Sequence, residues 1–172
     1  NYDCFFENIF EGYKTFVGQD ELVFSQLQGI AEIYKIHGSV QNPESIVINK
    51  ADYQKFHDKG KYLAAKLMTI FMEYPIIFMG YSISDSDIQA ILSDVVECLP
   101  LDKIEMLQKR FVFVEYKSNF IGSEIASHSM VIHGKLLEMT KITLSDFSLL
   151  YDALSVKKAA LPVKLLRRFK DE

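Results

Sequence analysis

The sequence predicts an α/β fold in which a parallel sheet lies between layers of helices. Two predicted strands, at 75–80 and 110–116, are apolar along their whole length, as a strand buried on both faces requires. Helical patterns at 61–73 and 84–99 separate these strands along the chain. Strands that alternate with helices are typical of parallel sheets, because parallel neighbours need a crossover connection.

The clearest helix lies at 84–99, where the apolar residues fall on one stripe of a 3.6-residue period. Ser84 or Ser86 is suited to cap it, and Pro100 ends it. Shorter sequence patterns predict a helix at 4–10 and a final amphipathic helix at 144–154, which starts near Thr143. They also predict a mixed loop at 12–29 and short strands at 32–36, 45–48 and 130–133.

Composition narrows the class of protein. The chain has 172 residues, of which 49% are hydrophobic and 24% are charged, with 13 Phe and 9 Tyr available for a core. That balance excludes an intrinsically disordered chain or a disulfide-stapled miniprotein. The net charge of −4 argues against a strongly basic nucleic-acid-binding module.

Cysteine content and hydropathy bear on the compartment. Cys4 and Cys98 have no CxxC spacing and are too few for a metal quartet, so we expect reduced thiols, no metal and a cytoplasmic location. The longest apolar stretch, at 62–79, is interrupted by charged residues and a proline, whereas a spanning helix needs about 20 apolar residues. We therefore expect no membrane anchor.

The end of the chain is basic. Residues 157–172 contain six Lys or Arg against two carboxylates, and we interpret them as a basic C-terminal helix or linker after a main domain at 1–156. We do not expect nucleic-acid binding, and if the chain contacts nucleic acid at all, this tail is where we expect the contact. The alternative is a solvated segment that leads into a further domain.

Ligands of parallel sheets bind at the carboxyl ends of the strands, which directs attention to three strand ends. His37 follows the strand predicted at 32–36, where an imidazole can take up a proton near neutral pH, and Gly38 lets the backbone turn sharply. A second pair, His133 and Gly134, also follows a short apolar stretch. Position in the sequence does not decide between the two pairs.

The other two strand ends carry residues suited to a nucleotide. Gly80, Tyr81 and Ser82 lie between a strand and a helix N-terminus, where backbone N–H groups and a hydroxyl can contact a phosphate. Glu115 ends a later strand, where a carboxylate can accept hydrogen bonds from ribose hydroxyls. A plain strand-to-helix turn and a solvated strand end are the alternative interpretations.

Three segments, taken in order, resemble a known family over roughly residues 1–116. They are NYD at 1–3 with FFE at 5–7, IYKIHGS at 33–39 followed by Pro43, SIVI at 45–48 and DY at 52–53, and IIFMGYSISD at 76–85. These segments resemble the later part of the sirtuin-like NAD-binding domain found in the bacterial anti-phage defence branch.

The resemblance implies a Rossmann-like sheet with helices on both faces, which binds NAD as a substrate without a metal. It implies that His37 is the general base, that Asn1 orients the attacking water and that Asp3 holds the nicotinamide carboxamide. It also decides between the two His-Gly pairs in favour of His37. The residues that it assigns to nucleotide binding are Gly38, Gly80, Tyr81, Ser82 and, more loosely, Glu115.

The function that the resemblance implies is NAD+ hydrolysis to ADP-ribose and nicotinamide, as an NAD-depleting effector in a homo-oligomer with a fused or partner sensor domain. The alternatives are a non-catalytic sensor of NAD or ADP-ribose and an NAD-dependent protein deacylase. The four-Cys zinc module of sirtuin deacylases is missing from the sequence, as is the Gly-rich pyrophosphate loop. We therefore expect the chain to be the later part of a catalytic domain, and inactive or unstable alone.

Overall fold

The computed structural model describes residues 2–23, 30–59, 61–81 and 86–156, and it divides into two compact units. Of the described residues, those up to Ala65 form the first unit and those from Lys66 onward form the second. None of the described helices has the length and apolar character needed to cross a bilayer. The basic segment at 157–172 lies outside the described residues.

The first unit is built on a two-stranded parallel sheet. Its elements are helix α1 (Phe5–Ile9), strands β1 (Lys14–Val17) and β2 (Glu32–Lys35), a 3₁₀ turn (Pro43–Ser45), helix α2 (Lys50–Lys59) and the start of helix α3 (Lys61–Glu73), which ends in the second unit. The strands pair in register from Lys14 with Glu32 to Val17 with Lys35. Phe16, on β1, is buried.

The second unit contains a four-stranded sheet. Its elements after α3 are β3 (Ile76–Met79), α4 (Ser86–Cys98), α5 (Leu101–Ile104), a 3₁₀ turn (Glu105–Lys109), β4 (Phe111–Tyr116), β5 (Ser123–Ile132), β6 (Lys135–Leu144) and α6 (Ser148–Ser155). The strand order is β3-β4-β6-β5, in which β4 pairs in parallel with both neighbours and β5 pairs antiparallel with β6.

Strand β4 is covered on both faces. Phe111 and Phe113 belong to a core cluster that includes Leu92 of α4, whereas Val114 packs in a second cluster with Leu150 of α6. Alternate side chains of a strand point to opposite faces, so helices lie on both faces of this sheet. The prediction of an α/β fold with a parallel sheet flanked by helices is confirmed.

Most elements with a strong apolar pattern are where the sequence predicts them. The helix predicted at 61–73 is α3, and the strands predicted at 75–80 and 110–116 are β3 and β4. The predictions at 4–10, 32–36 and 84–99 are also confirmed, as α1, β2 and α4, with ends that differ by one or two residues.

The strand predicted at 45–48 is wrong. Ser45 instead ends a 3₁₀ turn, where its Oγ atom accepts the Ser39 N–H at 3.1 Å and donates to the Asn42 carbonyl at 2.5 Å. The hydroxyl therefore stabilises a turn, and the β-branched residues that follow do not pair as a strand.

Two boundaries near the end of the chain are also wrong. The short strand predicted at 130–133 is the last part of the ten-residue β5. The helix predicted from Thr143 starts later, because Leu144 is still the last residue of β6. Asp146 accepts the N–H of Ser148 at 2.9 Å where α6 begins. Strands β1 and β6 and helix α2 are absent from the sequence-based prediction.

Candidate functional site

His37 lies just beyond the carboxyl end of β2, as the strand-end argument predicts. Its half-buried ring meets Tyr53 and Phe56 edge to face, with ring centroids 5.5 and 5.2 Å apart and interplanar angles of 67° and 72°. Both aromatic residues belong to α2. Because such contacts favour one ring orientation, α2 orients the imidazole.

The start of α2 is fixed by a reciprocal cap between Asn49 and Asp52. Asn49 Oδ1 accepts the N–H groups of Ala51 and Asp52 at 2.9 and 3.0 Å, and Asp52 Oδ2 accepts those of Asn49 and Ile48 at 3.1 and 3.2 Å. The backbone hydrogen bonds from Asn49 and then Ile48 lower the pKa of the Asp52 carboxyl. This capping box sets where the helix that contacts His37 begins.

Gly38 lies where the chain passes closest to a neighbouring loop. Its φ is +98°, and a Cβ atom there would be 2.3 Å from the carbonyl oxygen of Ser45. On either side of it, the carbonyl of His37 accepts the Val47 N–H at 3.0 Å, and Ser39 is buried. Only a residue without a side chain fits this position, which gives Gly38 a structural role beside the predicted nucleotide contact.

Tyr2 is hydrogen-bonded to the loop that follows His37. The N–H of Val40 donates to the Tyr2 carbonyl at 2.8 Å, and the Tyr2 hydroxyl donates to the carbonyl of Val47 at 2.6 Å. Since Val47 is itself bonded to the His37 carbonyl, the start of the chain and the His37 loop form one hydrogen-bonded assembly.

Asp3 follows in the same segment and is exposed. Its Oδ1 atom accepts the N–H of Phe5 at 2.9 Å, at the start of α1. A carboxylate has about four acceptor positions, so this bond leaves it capacity for a ligand. The structure thus places Asp3 in the same unit as His37 and Gly38, whereas Asn1 lies outside the described residues.

A buried lysine, which the sequence analysis misses, ties this segment to β2. Lys35 Nζ lies 2.6 Å from Glu7 Oε1 and donates to the backbone carbonyls of Tyr2, at 3.4 Å, and Asp3. Burial raises the pKa of the Glu7 carboxyl, but the hydrogen bond and charge of Lys35 and a backbone hydrogen bond lower it below its ordinary value.

The first unit has a cavity of about 310 Å³ where β1 and β2 end. Its charged lining consists of four carboxylates and one ammonium, from Asp20, Glu21, Glu44, Asp52 and Lys55. Phe56, which contacts the His37 ring, also lines it. Nowhere in the described parts of the chain do three or more His, Cys, Asp or Glu converge as metal ligands would.

The second unit brings together three of the predicted nucleotide-binding residues. Gly80, Tyr81 and Glu115 line one cavity of about 700 Å³, beside the carboxyl ends of β3 and β4. Lys141 and Phe147 also line it. Ser82, predicted to contact a phosphate from the same turn, lies outside the described residues.

Glu115 is held by two lysines. Its Oε2 atom lies 2.9 Å from Lys141 Nζ and 3.1 Å from Lys117 Nζ. The hydrogen bonds from Lys141 and then Lys117 lower the pKa of the Glu115 carboxyl. The carboxylate is therefore an ionised acceptor at the edge of the cavity, as the predicted contact with ribose hydroxyls requires.

The second His-Gly pair occupies a different kind of position. His133 and Gly134 form the two-residue turn between β5 and β6, with φ of 49° and 73° as a type I′ turn requires. The turn precedes β6, which runs parallel to β4, so it lies at the amino-terminal edge of the parallel strands. Ligands of such sheets bind at the opposite edge.

Comparison with known proteins identifies the family. A family model described as a SIR2-like domain matches residues 1–129. The chain belongs to the SIR2-like family. The sirtuin-like resemblance is thereby confirmed, together with the Rossmann-like fold that it implies, and the matched residues of this SIR2-like chain include His37, Gly80 and Glu115.

Three curated relatives are named NAD(+) hydrolase ThsA. The chain is 31% identical to that of Cytobacillus dafuensis over 65 residues, 31% to that of Bacillus cereus over 75 residues and 33% to that of Enterococcus faecium over 64 residues. These alignments cover 38%, 44% and 37% of the SIR2-like chain. They cover 13%, 16% and 13% of the relatives, so the similarity concerns a small part of each.

Proposed function

We propose that this SIR2-like chain contributes to an NAD+ hydrolase, which cleaves the nicotinamide–ribosyl bond of NAD to give ADP-ribose and nicotinamide. The observation that carries the proposal is the position of His37, at the carboxyl end of a parallel strand and joined through Val47 and Tyr2 to the segment that bears Asp3. Membership of the family and the similarity to proteins named NAD(+) hydrolases support it.

The proposed reaction replaces a C–N bond by a C–O bond. The bond between C1′ of the ribose and the nicotinamide nitrogen breaks, and its electron pair leaves with nicotinamide, which departs neutral. A water molecule, oriented by Asn1, forms the new bond to C1′, and His37 takes up its proton and returns it to solvent. Asp3 accepts a hydrogen bond from the carboxamide N–H and so holds the leaving group in place.

The charges of the first cavity suit this end of the substrate. The nicotinamide ring of NAD+ is positively charged, and positive charge develops on the ribose as the bond breaks. Four carboxylates against one ammonium attract such a cation and repel phosphates. The cavity of the second unit, with the ionised Glu115 and the ammonium of Lys141, suits a ribose hydroxyl and a phosphate instead.

In the cell, we propose an NAD-depleting effector of bacterial anti-phage defence, which acts in the cytoplasm as a homo-oligomer with a fused or partner sensor domain. The ThsA relatives support the NAD-related activity through their name. Loss of NAD would halt the metabolism on which phage replication depends.

The test is nicotinamide release from NAD by the full-length protein, separated by chromatography. We expect His37→Ala to lower kcat about 100-fold or more, the usual effect of losing a general base, and Asn1→Ala to lower it by a similar factor because the attacking water is no longer oriented. Undiminished activity in both variants would contradict the site. If calorimetry shows NAD or ADP-ribose binding but no nicotinamide appears, the non-catalytic sensor is the better description.

A further inference from the structure

We propose that Lys35 is a positioning residue that fixes the backbone of Tyr2 and Asp3 beside the His37 loop. The proposal rests on the function proposed above, because it gives Lys35 its effect through the side chain of Asp3. Lys35 itself touches no reacting atom in this scheme.

The Lys35 ammonium has three oxygen partners, all on the segment that contains the motif. It lies 2.6 Å from Glu7 Oε1 and donates to the carbonyls of Tyr2 and Asp3. An ammonium has three N–H donors, so these partners match its capacity. The carbonyl groups of Tyr2 and Asp3 therefore bind the same ammonium, which fixes the direction of the backbone at these two residues.

Because Lys35 is buried, its ammonium depends on these contacts in place of water. The Lys35 side chain is 4% exposed and that of Glu7 is 18% exposed. A buried ammonium without partners is strongly unfavourable, so the segment must stay docked for the lysine to keep its partners. Glu7 lies on α1, and Lys35 therefore holds both the motif and the helix that follows it.

Lys35 also connects the motif to the base. It is the last residue of β2, and His37 follows two positions later on the same chain. A displacement of the docked segment from Lys35 would change the distance between Asp3 and His37. Because a misplacement of about 1 Å can lower a rate 100-fold, the rate should be sensitive to this contact.

The test compares Lys35→Met with Lys66→Met in the full-length protein. Met keeps the length and apolar stem of the lysine and removes its charge. Lys66 is a matched control because, counting backbone and side chain together, both lysine residues are 7% exposed, and because Lys66 belongs to the second unit. The double variant Lys35→Met with Glu7→Gln also removes the half-buried carboxylate that the single change leaves without its lysine, and we expect it to be better tolerated than the single variant.

The first readout is amide hydrogen exchange, which needs no enzymatic activity. The Val40 N–H donates to Tyr2, whereas the Val47 N–H donates to His37. We expect Lys35→Met and the double variant to speed exchange at Val40 about tenfold or more while exchange at Val47 stays close to wild type. Lys66→Met should leave amide exchange at Val40 and at Val47 unchanged, once any change in global stability is taken into account.

The second readout is the split between kcat and KM for nicotinamide release, with rates expressed per folded molecule. We expect Lys35→Met to lower kcat about 10- to 100-fold with little change in KM, and Lys66→Met to change neither. Unchanged Val40 exchange in both Lys35 variants would overturn the proposal. So would a kcat loss no larger than that of Lys66→Met. If the wild type releases no nicotinamide, the proposed function fails while Val40 exchange still decides whether Lys35 positions the segment.

Discussion

The Nε2 atom of His133 lies 2.5 Å from the Oγ atom of Ser93. This contact joins the turn between β5 and β6 to helix α4. The turn lies at the amino-terminal edge of the parallel strands, whereas the cavity that contains Gly80 and Glu115 lies beside their carboxyl ends. The two His-Gly pairs of the sequence thus occupy different positions, for which we expect different roles: His133 and Gly134 form a hairpin turn, and His37 and Gly38 follow the carboxyl end of β2.

We predict that the same substitution at the two histidines separates these roles. His133→Ala should leave nicotinamide release within about twofold of wild type, as expected of a surface change. His37→Ala should lower kcat about 100-fold or more, because the proposed base is lost. Steady-state kinetics on the full-length protein checks this, and a large loss of kcat in His133→Ala with normal folding would contradict the assignment.

Gly38→Ala should be strongly destabilising. The new Cβ would meet backbone atoms of Ser45 and Ile46 at 2.3 to 2.7 Å, in addition to the strain of a positive φ. We expect the free energy of unfolding to fall by about 3 kcal/mol or more, measured by chemical denaturation.

Gly12→Ala is the matched control for Gly38→Ala. Gly12 also has a positive φ, of 80°, but a Cβ there meets nothing within 4 Å. The control should therefore show only the strain of the backbone, about 1 kcal/mol. Equal losses in the two variants would show that the close approach at Gly38 contributes nothing.

The Asp52 cap should make stability depend on pH. The backbone N–H groups of Asn49 and Ile48 lower the pKa of Asp52 below its ordinary value of 3.8. A lowered pKa in the folded state means that the stabilisation is complete above the ordinary value and is lost as pH falls through the folded one. Asp52→Asn should therefore reduce the free energy of unfolding at pH 7, and the difference from wild type should narrow at low pH. A difference independent of pH would argue against the cap.

Glu115→Gln should weaken binding of NAD rather than slow the reaction. The ionised carboxylate is the proposed acceptor for ribose hydroxyls, and hydrogen bonds to charged groups are worth about 1.5–3 kcal/mol. We expect KM and the Kd from calorimetry to rise about tenfold or more, with kcat little changed.

Glu124→Gln provides the control for Glu115→Gln. Glu115 and Glu124 both pair with Thr143, from the two neighbouring strands, and of these two glutamates Glu115 is the one that lines the cavity. The control should bind NAD as wild type does. A similar loss of affinity in both variants would point to a general effect of charge on this part of the sheet.

The fold is predictable from the sequence where burial imposes a pattern on neighbouring residues. Strands β3 and β4 are apolar throughout because both faces are covered, and α4 has one apolar stripe because one face is covered. Strand β6 escapes prediction because Glu138 and Lys141 interrupt it, although Leu137 and Met139 are fully buried. Its partner strands, not its own composition, make it a strand.

The site is predictable to a similar degree. The strand-end rule locates His37, Gly80 and Glu115 because it depends only on where strands end. The pairing of Lys35 with Glu7 joins residues 28 positions apart, and no local pattern records it. Helix α2 is an intermediate case, since the spacing of Asn49 and Asp52 is the capping signal that would have located it.

The docking of the first residues also has a consequence for the order of folding. The β5–β6 hairpin closes through a two-residue turn, whereas the Tyr2 contact with Val47 spans 45 positions. Contacts between distant residues form later, because the chain loses more entropy in closing the loop. We therefore expect the hairpin of the second unit to form early and the contact between Tyr2 and Val47 in the first unit to form late, so that Asp3 becomes ordered beside the His37 loop only when the rest of the first unit is already in place.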